Sequence, residues 1–243
     1  MSRIDGTFLF MKLPFFYIKE FDPSKKELVL DEDTSKHVVQ VLRMKAGEKL
    51  NLTDGKGNSV TAEIREAHKK HCNIEVKTTS NQQPATRNIT IAISLLKNSN
   101  RFEWFLEKAT EVGISEIIPL ICKRTEKEKF RFDRMNSILI SAMLQSQQCW
   151  LPILHEPQPI NQTIQQSNHQ QKFIAHCDKG NKQQLTNQQI NSSILILIGP
   201  EGDFTKEEID LALQSNFIPV SLGETRLRSE TAGIAAAILL CRV

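Results

Sequence analysis

Three side chains in the C-terminal part of the chain have the chemistry needed to move a proton or stabilise a charge. Glu201 lies in the turn at residues 199–204, and Arg228 and Glu230 lie in a second turn at residues 222–233. A carboxylate can take a proton from a weak acid, and a guanidinium can stabilise the resulting anion. Non-catalytic interpretations stay open, with Arg228 as a surface phosphate contact and Glu230 as a helix cap. Positioning of the reactants is a further source of catalysis.

Both turns join a strand-like run to a helix-like segment. Residues 194–198 are five consecutive aliphatic residues followed by Gly-Pro, which predicts a strand buried on both faces in a parallel sheet. Thr205 stands three residues before Glu208, the spacing of a capping box, so a helix is expected to begin there. The first turn therefore lies at the carboxyl end of a buried strand, where open α/β sheets bind ligands.

The glycine pattern of these turns argues against two common ligand-binding motifs. Residues 199–202 do not end in Gly-Lys-Ser/Thr, so they are not a Walker-type phosphate loop. The chain contains no Gly-x-Gly-x-x-Gly, which disfavours a Rossmann methyltransferase or dehydrogenase. A single glycine turn often only reverses the chain, but two such turns close together favour a ligand held by backbone groups.

The sequence of the two turns resembles that of the SPOUT superfamily of RNA methyltransferases. Gly-Pro-Glu-Gly at 199–202, with Leu-Gly at 222–223 and Leu-Arg-Ser-Glu-Thr-Ala at 227–232, is most similar to the RsmE family. That family methylates N3 of a uridine in 16S ribosomal RNA. This chain has Asp203 where the family usually has a second glycine, and Ser229 where it has threonine. Neither change removes a backbone donor.

The resemblance implies a SAM-dependent rRNA (uridine-N3)-methyltransferase. It also implies a C-terminal trefoil knot and a homodimer with active sites at the subunit interface. S-adenosyl-L-methionine (SAM) is the implied methyl donor, and no metal is needed because its sulfonium methyl is already activated. Small residues let the main chain approach a ligand closely. On both grounds the expected donor-binding residues are Leu197, Gly199, Gly202, Leu222, Gly223, Leu227 and Ala232.

Two other functions fit the same sequence. One is a non-catalytic RNA-binding protein built on the same scaffold, which SAM binding would distinguish. The other is a SPOUT methyltransferase that acts on transfer RNA ribose, which the Arg-Ser-Glu-Thr wording at 228–231 disfavours.

The N-terminal part of the chain is rich in strand signals. Residues 50–52 and 60–64 flank a Gly/Asn/Asp connection at 54–58, which predicts a hairpin. One helix is expected between the strands, capped near Asp33 or Thr34, with its apolar side formed by Val38, Val39, Val41 and Leu42. Residues 37–43 with Gly47 resemble the PUA-like, RNA-binding β-barrel domain of the RsmE family.

After residue 86 the pattern changes to alternating strands and helices. Strands are expected near 89–96 and 117–121, and helices near 100–112 and 133–148, which is typical of a parallel sheet with right-handed crossovers. The predicted fold is α/β, a SPOUT-type knot with an N-terminal PUA-like barrel. The predicted division is a dispensable extension at 1–10, a PUA-like domain at 11–80, a linker at 81–86 and a methyltransferase domain at 87–243.

Several cations stand where the family contacts RNA. Acidic residues alternate with most of them, so a merely solvated face fits equally well. The predicted RNA-binding residues are Arg43, Lys97, Arg101, Lys108 and Arg124.

Composition restricts the function less than the motifs do. The 31 Lys and Arg residues against 28 Asp and Glu residues give a net charge of +3, which allows an RNA partner without demanding one.

Five cysteines without Cys-x-x-Cys spacing argue against disulfides and zinc. The six histidines form no ligand pattern, so each is expected to be ordinary surface or core. No apolar run approaches the ~18 residues of a membrane span. A cytoplasmic protein without a membrane partner is expected, and the Gln/Asn-rich stretch at 161–191 is expected to be solvent-facing.

Overall fold

The computed structural model describes residues 13–84, 88–127, 129–178, 180–190 and 193–241. The chain forms two compact units with their boundary between Gln83 and Pro84. The first unit has one apolar core, and the second has two, one on each face of its sheet. The extension predicted at residues 1–10 lies outside the described residues.

The first unit is a five-stranded sheet in the order β1-β3-β4-β5-β2. Only the β1–β3 pairing is parallel among the residues that the structure describes. The strands are β1 (Phe15–Tyr17), β2 (Glu27–Val29), β3 (Lys49–Thr53), β4 (Asn58–Glu66) and β5 (Asn73–Asn81). The predicted hairpin at 54–58 is confirmed, because the Asp54 carboxylate accepts the Lys56 N–H at 2.8 Å and closes the turn between β3 and β4.

The helix of this unit begins earlier than predicted. Helix α1 (Glu32–Lys36) is capped by Asp31, whose carboxylate accepts both the N–H and the hydroxyl of Thr34, so the predicted cap at Asp33 or Thr34 was wrong. The chain then continues as a π-helical turn over His37–Val41. The wider turn disrupts the 3.6-residue repeat, which explains why Val38 is buried whereas Val41 is 66% exposed.

The second unit is an eight-stranded sheet in the order β11-β13-β10-β12-β6-β7-β8, with β9 also paired to β7. All its pairings among the described residues are parallel, so the predicted mostly parallel sheet is confirmed. The strands are β6 (Asn88–Ser94), β7 (Glu116–Ile121), β8 (Ile153–Leu154), β9 (Gln158–Pro159), β10 (Gln171–Ala175), β11 (Gln183–Gln184), β12 (Ser193–Ile198) and β13 (Ile218–Ser221). The helices are α2 (Ser99–Val112), α3 (Phe132–Gln145), α4 (Ile160–Gln166), α5 (Lys206–Gln214) and α6 (Ser229–Cys241).

Strand β12 is buried on both faces, as its aliphatic run predicted. Its residues 194, 196 and 198 pack into a core with side chains of α2, α3 and α6, and residues 195 and 197 pack into a second core with side chains of α4 and α5. Helices therefore cover both faces of the sheet. Ligand access is left at the ends of the strands.

Helix α6 approaches its neighbours unusually closely at Gly233. A Cβ atom there would lie 2.6 Å from Cε2 of Phe105 in α2 and 3.1 Å from Cδ1 of Ile93 in β6. The absence of a side chain at residue 233 is what allows α6 to pack against both elements. None of the helices within the described ranges is long and apolar enough to cross a membrane.

Candidate functional site

A cavity of about 750 Å³ lies at the carboxyl ends of three neighbouring strands of the second unit. Its walls include the last residues of β10, β12 and β13, which are Ala175, Ile198 and Ser221, together with parts of the two glycine turns. The ends of adjacent parallel strands meet at one edge of the sheet, which brings the two turns together although they are separated in sequence. This is the position that the sequence predicted for a ligand site.

The first turn packs tightly around Phe204. A Cβ atom on Gly199 would lie 3.2 Å from the Phe204 ring, which is itself buried in the core. The turn then leads into α5 through the predicted capping box, which is confirmed. The Thr205 N–H donates to Glu208 Oε2 at 2.8 Å, and the Glu208 N–H donates to Thr205 Oγ1 at 3.3 Å.

Hydrogen bonds tie this turn to the chain segments that follow other strands. Arg124, after β7, donates from Nη1 to the carbonyl oxygens of Gly202 (2.7 Å) and Phe204 (3.2 Å). The Lys97 N–H, after β6, donates to Glu201 Oε1 at 3.1 Å. These bonds hold the backbone of the turn in place.

The second turn is built around Gly223. Its φ of +152° is rarely adopted by residues with a side chain, and a Cβ atom there would meet nothing within 4 Å. The Ser221 hydroxyl donates to the Gly223 carbonyl at 2.8 Å. Gly223 thus presents main chain to open space on the cavity wall.

Five of the seven predicted donor-binding residues line the cavity, and two do not. Leu197 is fully buried in the core formed with α4 and α5, and Gly202 lies against Arg124. The five on the cavity wall are Gly199, Leu222, Gly223, Leu227 and Ala232.

The three predicted catalytic residues are not gathered at one point. Glu201 and Arg228 line the cavity. Glu230 is instead buried near the first turn of α2, with Oε1 3.7 Å from Nε of Arg101. Its Oε2 atom has no hydrogen-bond partner among the described residues.

Three of the predicted RNA-binding cations in the second unit face carboxylates. Lys97 Nζ lies 2.7 Å from Glu126, a hydrogen bond that raises the pKa of the lysine. Lys108 pairs with two glutamates of its own helix, and Arg101 lies near Glu230. Arg124 braces the first turn, as described above. In the first unit, Arg43 is exposed and has a left-handed φ of +56°.

Sequence reasoning missed one wall of the cavity, formed by His176, Cys177 and Lys182. Both ring nitrogens of His176 are buried without a hydrogen-bond partner among the described residues. Burial, and then the nearby Lys182 charge, lowers the pKa of His176, which favours the neutral imidazole. Lys182 Nζ donates to the His176 carbonyl at 2.6 Å. The signal that would have found this wall is the position of His176 immediately after β10.

Within the described ranges, no group of three or more His, Cys, Asp or Glu side chains is arranged to hold a metal ion. Cys122, directly after β7, is buried. Burial, with a smaller effect of the Glu208 charge, raises its pKa to about 12, so the thiol stays protonated and unreactive.

Family comparisons agree with this architecture. Residues 82–241 match the family of RNA methyltransferase domains, and residues 30–77 match the RNA methyltransferase PUA domain. The chain therefore belongs to this family of RNA methyltransferases. The predicted resemblance to the RsmE group within it is confirmed by the relatives described next.

A crystal structure of a probable rRNA-methyltransferase from Porphyromonas gingivalis is 37% identical and has a TM-score of 0.86, with 95% of this chain and 100% of that chain covered. The SAM-bound ribosomal RNA small subunit methyltransferase E from Neisseria gonorrhoeae is 28% identical and has a TM-score of 0.84. The match covers 93% of this chain and 95% of that chain. The enzyme of the same name from Rickettsia conorii is 28% identical over 230 residues, which cover 93% of this chain and 94% of that protein.

Proposed function

We propose that this protein uses SAM to methylate N3 of a specific uridine in 16S ribosomal RNA of the small subunit. The observation that carries the proposal is the cavity formed by two glycine turns at the ends of adjacent parallel strands. The N. gonorrhoeae relative, which shares the fold, is a small subunit rRNA methyltransferase bound to S-adenosyl methionine.

The walls of the cavity suit the parts of SAM. A volume of about 750 Å³ lies within the usual range of ligand sites, roughly 300–1,000 Å³. Leu222, Leu227 and Ala232 provide apolar surface for the adenine. Side chains of both signs, including Glu224 and Arg226, can match the amino acid and sulfonium charges. Gly223 leaves the main chain accessible to a ligand.

The methyl transfer requires uridine N3 to lose its proton. Bound SAM supplies an electrophilic methyl group. We assign Glu201 as the base that accepts the N3 proton and Arg228 as the cation that stabilises the uracil anion, because both line the cavity. The N3 electron pair then forms the new carbon–nitrogen bond while the sulfur keeps the electrons of the broken bond. Glu230, buried near Arg101, is assigned to holding the start of α6 rather than to proton transfer.

The two units are proposed to divide the work. Residues 11–80 would supply RNA affinity through Arg43 and neighbouring lysines, residues 81–86 would link the units, and residues 87–243 would hold the donor. Lys97, Arg101, Lys108 and Arg124 would add RNA contacts near the cavity. We also propose that the enzyme acts in the cytoplasm, which a ribosomal RNA substrate supports.

The proposal includes a homodimer and a trefoil knot. Residues 231–241 of α6 carry no charged side chain, and Ile234 and Ile238 are only half-buried, which supports a second copy covering this helix. After β12 the chain runs out to β13, beyond β10, and then returns as α6 to pack on α2 and β6. This return path supports the knot that the family resemblance implies.

Calorimetry with SAM and methylation of unmodified small subunits, followed by mass spectrometry of the nucleosides, test the function. We expect SAM binding and N3-methyluridine. A 2′-O-methylated nucleoside would instead indicate a ribose methyltransferase. RNA binding without SAM binding would indicate the non-catalytic alternative.

A further inference from the structure

One residue of the cavity wall combines an unfavourable backbone conformation with two hydrogen bonds to its side-chain carboxylate. Asp203 has a left-handed φ of +64°, which glycine adopts more easily. A residue with a side chain in this region costs conformational energy unless its surroundings hold it there. Asp203 also lines the cavity, at the end of the first glycine turn.

The carboxylate of Asp203 joins two strand ends. Its Oδ2 atom accepts the Cys177 N–H at 2.7 Å, across 26 residues of sequence, and its Oδ1 atom accepts the Phe204 N–H at 2.8 Å. Hydrogen bonds to an ionised acceptor are shorter and roughly twice as strong as neutral ones. Cys177 follows β10 and Asp203 follows β12, and these strands are direct neighbours.

The two joined segments are neighbouring parts of the wall of the same cavity. Cys177 and Asp203 both line it, as do His176 and Lys182 beside them. Lys182 also donates to the His176 carbonyl at 2.6 Å, which is a second hydrogen bond to the same segment. Arg124 holds the first turn at two of its carbonyls. Loss of the Asp203 carboxylate would remove its hydrogen bond between the segment after β10 and that braced turn, and would leave the strand pairing up to Ala175 and Ile198 as the described connection.

We propose that Asp203 is a positioning residue that holds the segment after β10 against the turn after β12, beyond the last paired residues of the two strands, and so preorganises the cavity for SAM. The inference rests on the proposed function. A site held in its binding geometry before the ligand arrives binds more tightly because less ordering occurs on binding. Loss of the Asp203 carboxylate should therefore weaken SAM binding and leave RNA binding unchanged.

The test compares Asp203→Gly and Asp203→Asn with wild type in the full chain. Asp203→Gly removes both hydrogen bonds and relieves the backbone strain, and we expect about tenfold weaker SAM binding by calorimetry. Asp203→Asn keeps one acceptor oxygen, and we expect a smaller loss of about threefold. Steady-state kinetics should show a raised KM for SAM with an unchanged KM for RNA. Asp210→Asn, which removes the same charge from an exposed position on α5, should match wild type.

Amide hydrogen exchange measures directly the two hydrogen bonds that the Asp203 carboxylate accepts. Asp203→Gly should speed exchange at the Cys177 and Phe204 amides, and circular dichroism monitors the fold. If the glycine variant does not fold, the asparagine variant carries the comparison. Wild-type SAM affinity in a folded variant that has lost both bonds, or a KM change for RNA alone, overturns the inference. A wild-type chain that binds no SAM would instead overturn the proposed function, and this inference with it.

Discussion

The two units use their strands in different ways. In the first unit the sheet is largely antiparallel, and its long strand β4 buries only every second residue from Val60 to Ile64. In the second unit β12 is buried along its length by helices on both faces, and its polar backbone groups become accessible only at its end. When helices cover both faces of a parallel sheet, the strand ends are left as the place for a ligand site. The cavity accordingly lies beyond β10, β12 and β13.

Of the changes proposed here, Gly223→Val is expected to have the largest effect on SAM binding. The side chain would extend into the open space of the cavity from a backbone with φ +152°, so SAM binding should weaken by about a hundredfold or more. Calorimetry provides the measurement. Gly47→Val is the matched control in the first unit, because Gly47 also has a positive φ, +91°, and a Cβ atom there would meet nothing within 4 Å. Equal SAM affinities of the two variants would remove the second turn from the site.

Gly199→Val tests whether Gly199 contacts the ligand or packs against the Phe204 ring beneath the cavity wall. A side chain there would press on the buried Phe204 ring, 3.2 Å from Cβ, rather than only occupy ligand space. We therefore expect weaker SAM binding together with a lower Tm, by thermal unfolding. A variant that loses SAM binding at an unchanged Tm would show that Gly199 contacts the ligand and is not a packing residue.

Removing residues 1–84 tests the division of labour. The remaining unit has its own cores, so it should fold and bind SAM nearly as well as the full chain. RNA binding should weaken and depend less on salt, since each lost phosphate contact lowers the slope of log K by about 0.7–0.9 per decade of salt. Binding titrations at several salt concentrations measure this slope, and light scattering tests whether the shortened protein forms the proposed dimer. An unchanged slope would move the RNA contacts to Lys97, Arg101 and Arg124.

Gly233→Ala should destabilise only the second unit. The added Cβ would lie 2.6 Å from the Phe105 ring, and overpacking of this kind costs about 1–3 kcal/mol. Hydrogen exchange resolved by residue should show faster opening in α2 and α6 with unchanged protection in β3 and β4. Wild-type stability would mean that α6 can move away from α2 without cost.

Starting the chain at Met11 should have the smallest effect. Residues 1–10 carry no periodic pattern, so we expect unchanged solubility, SAM affinity and methylation. Loss of activity in this shorter protein would assign the segment a function.

Local patterns were the most predictable part of the molecule. The capping box at Thr205 and the strand at 194–198 depend on neighbouring residues, and both were confirmed. The cap at Asp31 was missed because Asp, Asp and Thr are all good caps within four positions, and only the hydrogen bonds to Thr34 decide among them. The wall at His176 and the burial of Glu230 depend on which strands and helices become neighbours, information that a single sequence's periodicity does not contain.

The place of β12 in the sheet has a consequence for the newly made chain. It lies between β6 and β10, both of which precede it in sequence. Until the ribosome has released residue 198, the strand that lies between β6 and β10 is missing and their facing edges stay open, whereas β6 can already pair with β7 and the strands of the first unit have all been made. Open strand edges on a partly made sheet invite wrong pairing and aggregation. We therefore expect the second unit to be the slow and chaperone-dependent step of biogenesis, with its donor cavity formed last.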